Sequence, residues 1–397
     1  MFRQIRYHQV LWMAAGVVAA GLLSACSDEV DPVETPSCKV HLRMGAQGFH
    51  DVSGDEGLPG AETRALPDGF VTYDNLYTPT LPTYAQIQGF FVSDTTNPVQ
   101  PVFLFEDDDD NVSPTRSWSA NVPIKAGESC YFFGFMPKEE TGSGSIAPLN
   151  SSYDNGVVMT INNIRAVTSS DVCVVVGVQR NDNNTDLITN LDMASRLGKF
   201  DFVPQQGDDN YLYLLADHLY CSLHFKMKID AAYNELRTIK IKQVRLRIAD
   251  DSGSVKSVNA TVTLAANNTL QNPLSAAAGG SVSFTVGERG EATPAILYNC
   301  ADDNVSPNGI ELTDISFQSF RGCYAPGFNT KFILETVYDV YDRKGNLIRE
   351  NDTARNTLQP AATLQHGQEY TYNITVNPTY LYMLSEPDLD SPTFTIQ

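Results

Sequence analysis

Cys38, Val40, Leu42 and Met44 occupy every second position, with Lys39, His41 and Arg43 between them. Successive strand side chains point to opposite faces, so this period of two describes a β-strand with one face buried. The alternation recurs in Leu223, Phe225, Met227 and Ile229, and in Tyr372, Ile374 and Val376. Ile239 and Ile241 open another run, the phase slips at Gln243, and Val244, Leu246 and Ile248 continue it. A slip of one residue predicts a β-bulge. Val172 to Val178 is nearly continuous apolar sequence, which predicts a strand buried on both faces. Turn signals separate the runs at Asp154-Asn155-Gly156, Asn181 to Asn184, Asp250 to Gly253 and Arg343 to Asn346. Leu187 to Leu197 and Ala231 to Leu236 are the best short helices. The expectation is an all-β chain of antiparallel sandwiches.

The first 26 residues bear on the compartment. Arg3 and Arg6 precede an apolar run from Val10 to Leu23, and Leu23-Ser24-Ala25-Cys26 closes it. A basic start, a short apolar run and small residues before a cut describe a secretory signal. The run of about 14 residues falls short of the roughly 20 that span a bilayer. Leu-Ser-Ala-Cys resembles the lipobox of bacterial lipoproteins. That resemblance implies a signal peptide over residues 1–25 and a diacylglycerol thioether on Cys26, with palmitate-class chains. Two buried chains anchor stably where one does not. Ser27-Asp28-Glu29 resembles a surface-export signal and reads equally well as a solvated acidic tether, so residues 26–36 are the lipidated tether.

Loss of Arg3 and Arg6 with the leader takes the formal charge from −20 to −22. Such an acidic body does not seek nucleic acid or anionic lipid. Its length exceeds one ordinary core, so two domains are expected, divided in the polar stretch Pro204 to Asn210. The expected spans are 65–207 and 208–397.

The motifs of common enzymes are absent: no Gly-x-Ser-x-Gly, His-Glu-x-x-His, phosphate loop or dinucleotide fingerprint. His218 and His224, read as one strand, stand about 20 Å apart, too far for a shared metal. Glu106 to Asp110 lacks the spacing of a calcium loop and reads as a solvated hairpin. Asp388 and Asp390, between Pro387 and Pro392, imply no cleft. Asp94-Thr95-Thr96 and Asp352-Thr353-Ala354 match a short O-glycosylation sequon that chance also supplies. The expectation is therefore no catalytic residue, no metal site, no cofactor and no enzymatic activity. Besides Cys26 there are Cys38, Cys130, Cys173, Cys221, Cys300 and Cys323, an even set that permits disulfides. Cys173 reads as a buried thiol. Cys300 and Cys323, flanking one loop-rich segment, are the best disulfide candidates.

Between Gly45 and Gly69 the alternation dissolves into glycines with Pro59 and Pro67, as in a mobile surface loop. Arg64 is the only Lys or Arg between Met44 and Thr115, and exposed loops are where proteases cut. A lipobox, one early strand, a loop arginine and then two β domains resemble the fimbrillin family, the lipoprotein precursors of type V pili. Leu214-Leu215-Ala216-Asp217-His218-Leu219 leading into Leu223 to Ile229 resembles the family's central strand entry. Pro378 to Ser385 with Pro387-Asp388-Leu389-Asp390 resembles its C-terminal stretch.

The resemblance implies two Greek-key, transthyretin-like sandwiches and a mechanism. An Arg-specific protease cuts between Arg64 and Ala65 and residues 37–64 leave, taking Val40, Leu42 and Met44 out of a groove. A donor strand from a neighbouring subunit then fills the groove by β-strand addition. The candidate donor tail offers Tyr380, Tyr382, Leu384, Phe394 and Ile396. Pro387 and Pro392 interrupt its ladder, and the tail could equally complete its own domain. Implied partners are other pilin subunits, the outer membrane through lipid, the processing protease and a host surface ligand in adhesion. The implied location is the cell surface at the outer membrane, then the pilus. Two other readings stand beside this one. One is a surface glycan-binding lipoprotein with an exposed aromatic such as Trp118. The other is a pilus anchor that keeps its lipid, with Arg64 uncut. Release of the first strand also requires that Cys38 carry no disulfide.

Overall fold

A computed structural model describes residues 37–46, 50–51, 71–72, 86–93, 97–106, 117–138, 141–180, 193–206, 210–266, 273–327, 331–359, 364–380 and 387–396. These residues are almost entirely strand and turn. The first strands are β1 (Cys38–Ala46), β2 (His50–Asp51), β3 (Val71–Thr72), β4 (Ile87–Val92), β5 (Val102–Glu106), β6 (Ser117–Val122) and β7 (Cys130–Met136). Then come β8 (Gly144–Pro148), β9 (Gly156–Arg165), β10 (Val167–Thr168), β11 (Cys173–Arg180), β12 (Asp201–Phe202) and β13 (Asn210–His218). They are followed by β14 (Cys221–Ile229), β15 (Thr238–Asp250), β16 (Gly253–Ser254), β17 (Ser257–Ala265), β18 (Ser281–Val286) and β19 (Ala295–Asn299). The last are β20 (Ile310–Glu311), β21 (Gln318–Tyr324), β22 (Lys331–Tyr341), β23 (Leu347–Leu358), β24 (Gln368–Tyr380) and β25 (Pro387–Ile396).

The first sheet runs β11-β13-β1-β6-β5-β4-β7, and β7 pairs back onto β11, so it closes on itself. Closure removes the exposed edges that invite pairing with other chains. Its enclosed core includes Val40, Leu42, Phe91, Phe103, Trp118 and Leu212. A second core lies among the other three sheets: β10-β21-β14-β24-β2 with β25 on β24; β16-β15-β22-β23 with β19 and β20 on β15; and β18-β17-β9-β8. β11 serves both cores. Cys173, Val175 and Val178 face the first, and Val174 and Val176 face the second. That is the physical meaning of the continuous apolar run, which forms the doubly buried strand expected of it.

Other local readings are met in the structure. The bulge expected at Gln243 is present where β15 pairs with β22, between Ile241 and Gln243. Gly156 ends the Asp-Asn-Gly turn at φ 113°, and a Cβ there would meet Leu264 O at 2.0 Å. Residues 231–234 form a short helix, capped by Asp230, whose carboxylate accepts from the Tyr233 amide at 3.1 Å. The helix expected over Leu187 to Leu197 is not met in its described part, where Met193–Arg196 is a 3₁₀ turn and Leu197 bridges Gly177; 187–192 lie outside the described residues.

Strands on either side of residue 207 share sheets. β9 pairs with β17, β10 pairs with β21, and β13 belongs to the closed sheet beside β1. Antiparallel pairing predominates, but β1–β13, β14–β24 and β2–β24 are parallel. These partners are far apart in sequence, so no hairpin dictates their direction.

The expected Cys300–Cys323 disulfide is not formed. No disulfide joins any of the six described cysteines, and all six are buried. Cys300 follows β19, which pairs with β15, whereas Cys323 sits in β21 opposite Ser222 of β14. Cys300 thus opens the 3₁₀ turn after a strand of one sheet, and Cys323 lies within a strand of another. The reading of His218 and His224 on one strand is also corrected. The chain turns at Leu219 and Tyr220, so His218 ends β13 in the first sheet and His224 lies on β14 in the second.

His224 belongs to a cross-strand network. Glu369 on β24 lies 3.2 Å from His224 Nδ1, accepts from Ser222 at 3.0 Å and pairs with Arg321 at 3.2 Å. Burial alone would raise the Glu369 carboxyl. The His224 hydrogen bond and the Arg321 charge outweigh it and hold the group down to about 2. A depressed carboxyl contributes stability that is full above its unfolded value near 4.5 and is lost as pH falls toward about 2. The expected loss across that window is on the order of 3 kcal/mol. Melting temperature followed from pH 6 to pH 2 checks it, with Glu369→Gln expected to flatten the slope between about pH 4.5 and 2.

Candidate strand-exchange groove

β1 is held on both sides. It runs parallel to β13, from Val40 opposite Asn210 to Ala46 opposite Ala216. It runs antiparallel to β6, from Cys38 opposite Val122 to Leu42 opposite Trp118. The alternation read from the sequence sets its faces. Cys38, Val40, Leu42 and Met44 point inward at 5, 0, 0 and 6% exposure. On the other face His41 stacks on Tyr211 with ring centroids 4.7 Å apart. The Cys38 thiol donates to Ile124 O at 3.5 Å and forms no disulfide.

The consequence of removing such a strand is specific. β13 and β6 would each lose a hydrogen-bonded neighbour, and the closed sheet would open along one seam. The floor of that seam is apolar and includes Trp118, Leu212, Leu214 and Ala216. Two exposed ladder edges over an apolar trough are the requirements for accepting an extended segment in place of β1.

Trp118, offered by the sequence as a surface aromatic for glycan, is instead fully buried. Its position opposite Leu42 places it in the enclosed core, because inward positions of a closed sheet take bulky side chains.

The C-terminal tail is paired. β25 runs antiparallel to β24, with Phe394 opposite Val376 and Ile396 opposite Ile374. Phe394 is buried against Tyr338, centroids 5.4 Å apart, and its carbonyl accepts from Asn356 at 2.8 Å. Arg237 pairs with Asp390 at 2.7 Å, and Tyr233 donates to Leu389 O at 2.7 Å. The register shifts between Pro378 and Thr379, next to the Pro378–Pro392 pair, so the prolines sit at the irregularity. Tyr380 is the last residue of β24, and Tyr382 and Leu384 lie outside the described residues. Cys26, Arg64 and Ala65 also lie outside them, as do Glu106's acidic followers and Asp94 to Thr96.

A third cluster escaped sequence reasoning. Asp171, Cys173 and His218 converge in the buried interior, close to the chain's crossings between the first and second sheets. The sequence marks Cys173 as a buried thiol, and His218 as one of a His pair and as part of the Leu214 to Leu219 strand entry, but does not bring the two together. The Asp-x-Cys spacing is present in the sequence, but nothing local places His218 opposite it.

No protein-family profile matches the chain, and no curated protein matches it. Several solved structures do match. One is a candidate cell adhesion protein from Bacteroides fragilis, with a TM-score of 0.36 and 13% identity over 90% of this chain and 97% of that one. A fimbrial protein from Bacteroides vulgatus gives 0.31 and 11% over 89% and 98%. The fimbrial anchor protein Mfa2 from Porphyromonas gingivalis gives 0.25 and 11% over 91% and 97%. Those three proteins are named for cell adhesion or fimbriae.

Proposed function

We propose that this chain is a pilus subunit, exported as a lipoprotein through Cys26, cut after Arg64 and assembled by exchange of β1 for a strand of a neighbouring subunit. The observation that carries the reading is the place of β1. It completes a closed sheet, buries every inward side chain, and precedes the segment that contains Arg64. A strand that is both essential to closure and separable by one cut leaves a groove with a defined register. The lipobox and the acidic body support the surface location.

Once cut, the subunit carries no lipid and is held only by its neighbours. The incoming strand must present small or aliphatic side chains at alternate positions to match the pockets of Val40, Leu42 and Met44. β25 can serve as that strand only after leaving β24, together with Phe394 and the Arg237–Asp390 pair. The chain is read as a structural and adhesive protein without enzymatic activity.

The N-terminus of protein recovered from the cell surface tests the reading. A start at Ala65 is expected. A lipid-blocked Cys26 on all of the material would overturn strand exchange and leave the anchor reading.

A further inference from the structure

Cys173 of β11 and His218 of β13 face each other as a cross-strand pair, and Asp171 lies two residues before Cys173. The Cys173 Sγ donates to Asp171 Oδ2 at 2.6 Å, His218 Nδ1 lies 2.5 Å from the same oxygen, and Sγ and Nδ1 are 3.8 Å apart. The His218 and Asp171 side chains are 1 and 0% exposed, and Cys173 is 1% exposed. The second carboxylate oxygen, Asp171 Oδ1, is buried with no hydrogen-bond partner. An orphaned buried carboxylate oxygen costs the fold unless something positive meets it.

The donor set has a chemical preference. A thiolate and an imidazole suit zinc-class ions, whereas calcium and magnesium take oxygen. Bonds of about 2.0–2.3 Å in a tetrahedron set neighbouring ligand atoms roughly 3.3–3.8 Å apart. Sγ and Nδ1 already stand at that separation, and the carboxylate needs to withdraw by about 1 Å. A thiolate, a carboxylate and a neutral imidazole sum to two negative charges, which one divalent ion cancels. A carboxylate bound through both oxygens would supply four donor atoms from three residues and also occupy Oδ1.

We propose that Asp171, Cys173 and His218 bind one divalent transition-metal ion of the zinc class, taken up as the chain folds. Binding displaces the thiol proton to solvent and forms metal–sulfur, metal–nitrogen and metal–oxygen bonds, with no change of oxidation state. The ion ties the start of β11 to the end of β13. β13 is the parallel neighbour of β1, so the site steadies one wall of the groove. It does not depend on strand exchange and is tested on the uncut protein.

The whole protein, unfolded and refolded with zinc chloride and then dialysed, is expected to hold one zinc per chain by elemental mass spectrometry. Cys173→Ser and His218→Gln should each weaken retention at least about tenfold, while Cys300→Ser should keep it. Because the first two variants remove buried contacts, cobalt refolded into the unmodified protein gives a second readout. Tetrahedral cobalt bands with a thiolate-to-cobalt charge-transfer band are expected. Zinc well below one per chain, or cobalt bound without a thiolate band, would overturn the proposal. So would retention unchanged in folded Cys173→Ser.

Discussion

A chain that lacks residues 37–46 is expected not to fold as a monomer, and a synthetic peptide of that sequence is expected to restore it when added in trans. β1 places Cys38, Val40, Leu42 and Met44 in the first core. At roughly 1.5–3 kcal/mol for each buried apolar side chain, the strand contributes about 6–12 kcal/mol gross. Whole domains are stable by only about 5–15 kcal/mol. The ladders to β13 and β6 would be lost as well, leaving two edges over an apolar trough. Urea unfolding followed by circular dichroism checks this. The shortened chain should show no cooperative transition, and the peptide should bring one back. A peptide with Leu42→Asp should not, because a carboxylate would enter a fully buried position. A shortened chain that unfolds at the full-length midpoint would show that β1 is dispensable and remove the basis of strand exchange.

Trp118→Ala is expected to weaken both precursor and polymer, whereas Leu42→Ala is expected to weaken the precursor alone. Both side chains are fully buried and lie opposite each other in the β1–β6 ladder. Truncating a buried Trp costs about 3–5 kcal/mol, and a buried Leu about 2–5 kcal/mol. Trp118 belongs to the groove and stays with the subunit whichever strand fills it. Leu42 leaves with β1 if exchange occurs. Urea midpoints of the precursor and dissociation temperatures of the assembled polymer separate the two. Equal weakening of the polymer by both substitutions would mean that β1 stays in place.

The tail poses a related question. β25 is an ordinary strand of its own sheet, tied by Phe394, Asp390 and Leu389. If it is the donor, these contacts are exchanged for those of a neighbour's groove. If it is not, the donor comes from another segment, and β25 belongs to the stable body.

Much of the fold was legible in the residues themselves. The inward set of β1, the doubly buried run of β11 and the bulge at Gln243 are all written in local periodicity, because strand geometry sends alternate side chains to opposite faces. The buried state of Cys173 was legible for the same reason. Cys300 and Cys323 were misjudged because nearness along the chain says nothing about which sheet a strand joins. Trp118 was misjudged because an isolated aromatic carries no sign of its face.

What the sequence by itself determined is therefore the alternating runs of β1, β14, β15 and β24, the apolar run of β11, and the inward residues of each. What only the tertiary structure decided is the partnership of those strands. β1 pairs with a strand beginning at Asn210, the first sheet closes through β7 and β11, and Asp171, Cys173 and His218 meet between them. The physical reason is that alternation is a property of a few neighbouring residues. Pairing depends on how whole faces fill a shared core, and that is set by contacts between residues far apart in the chain.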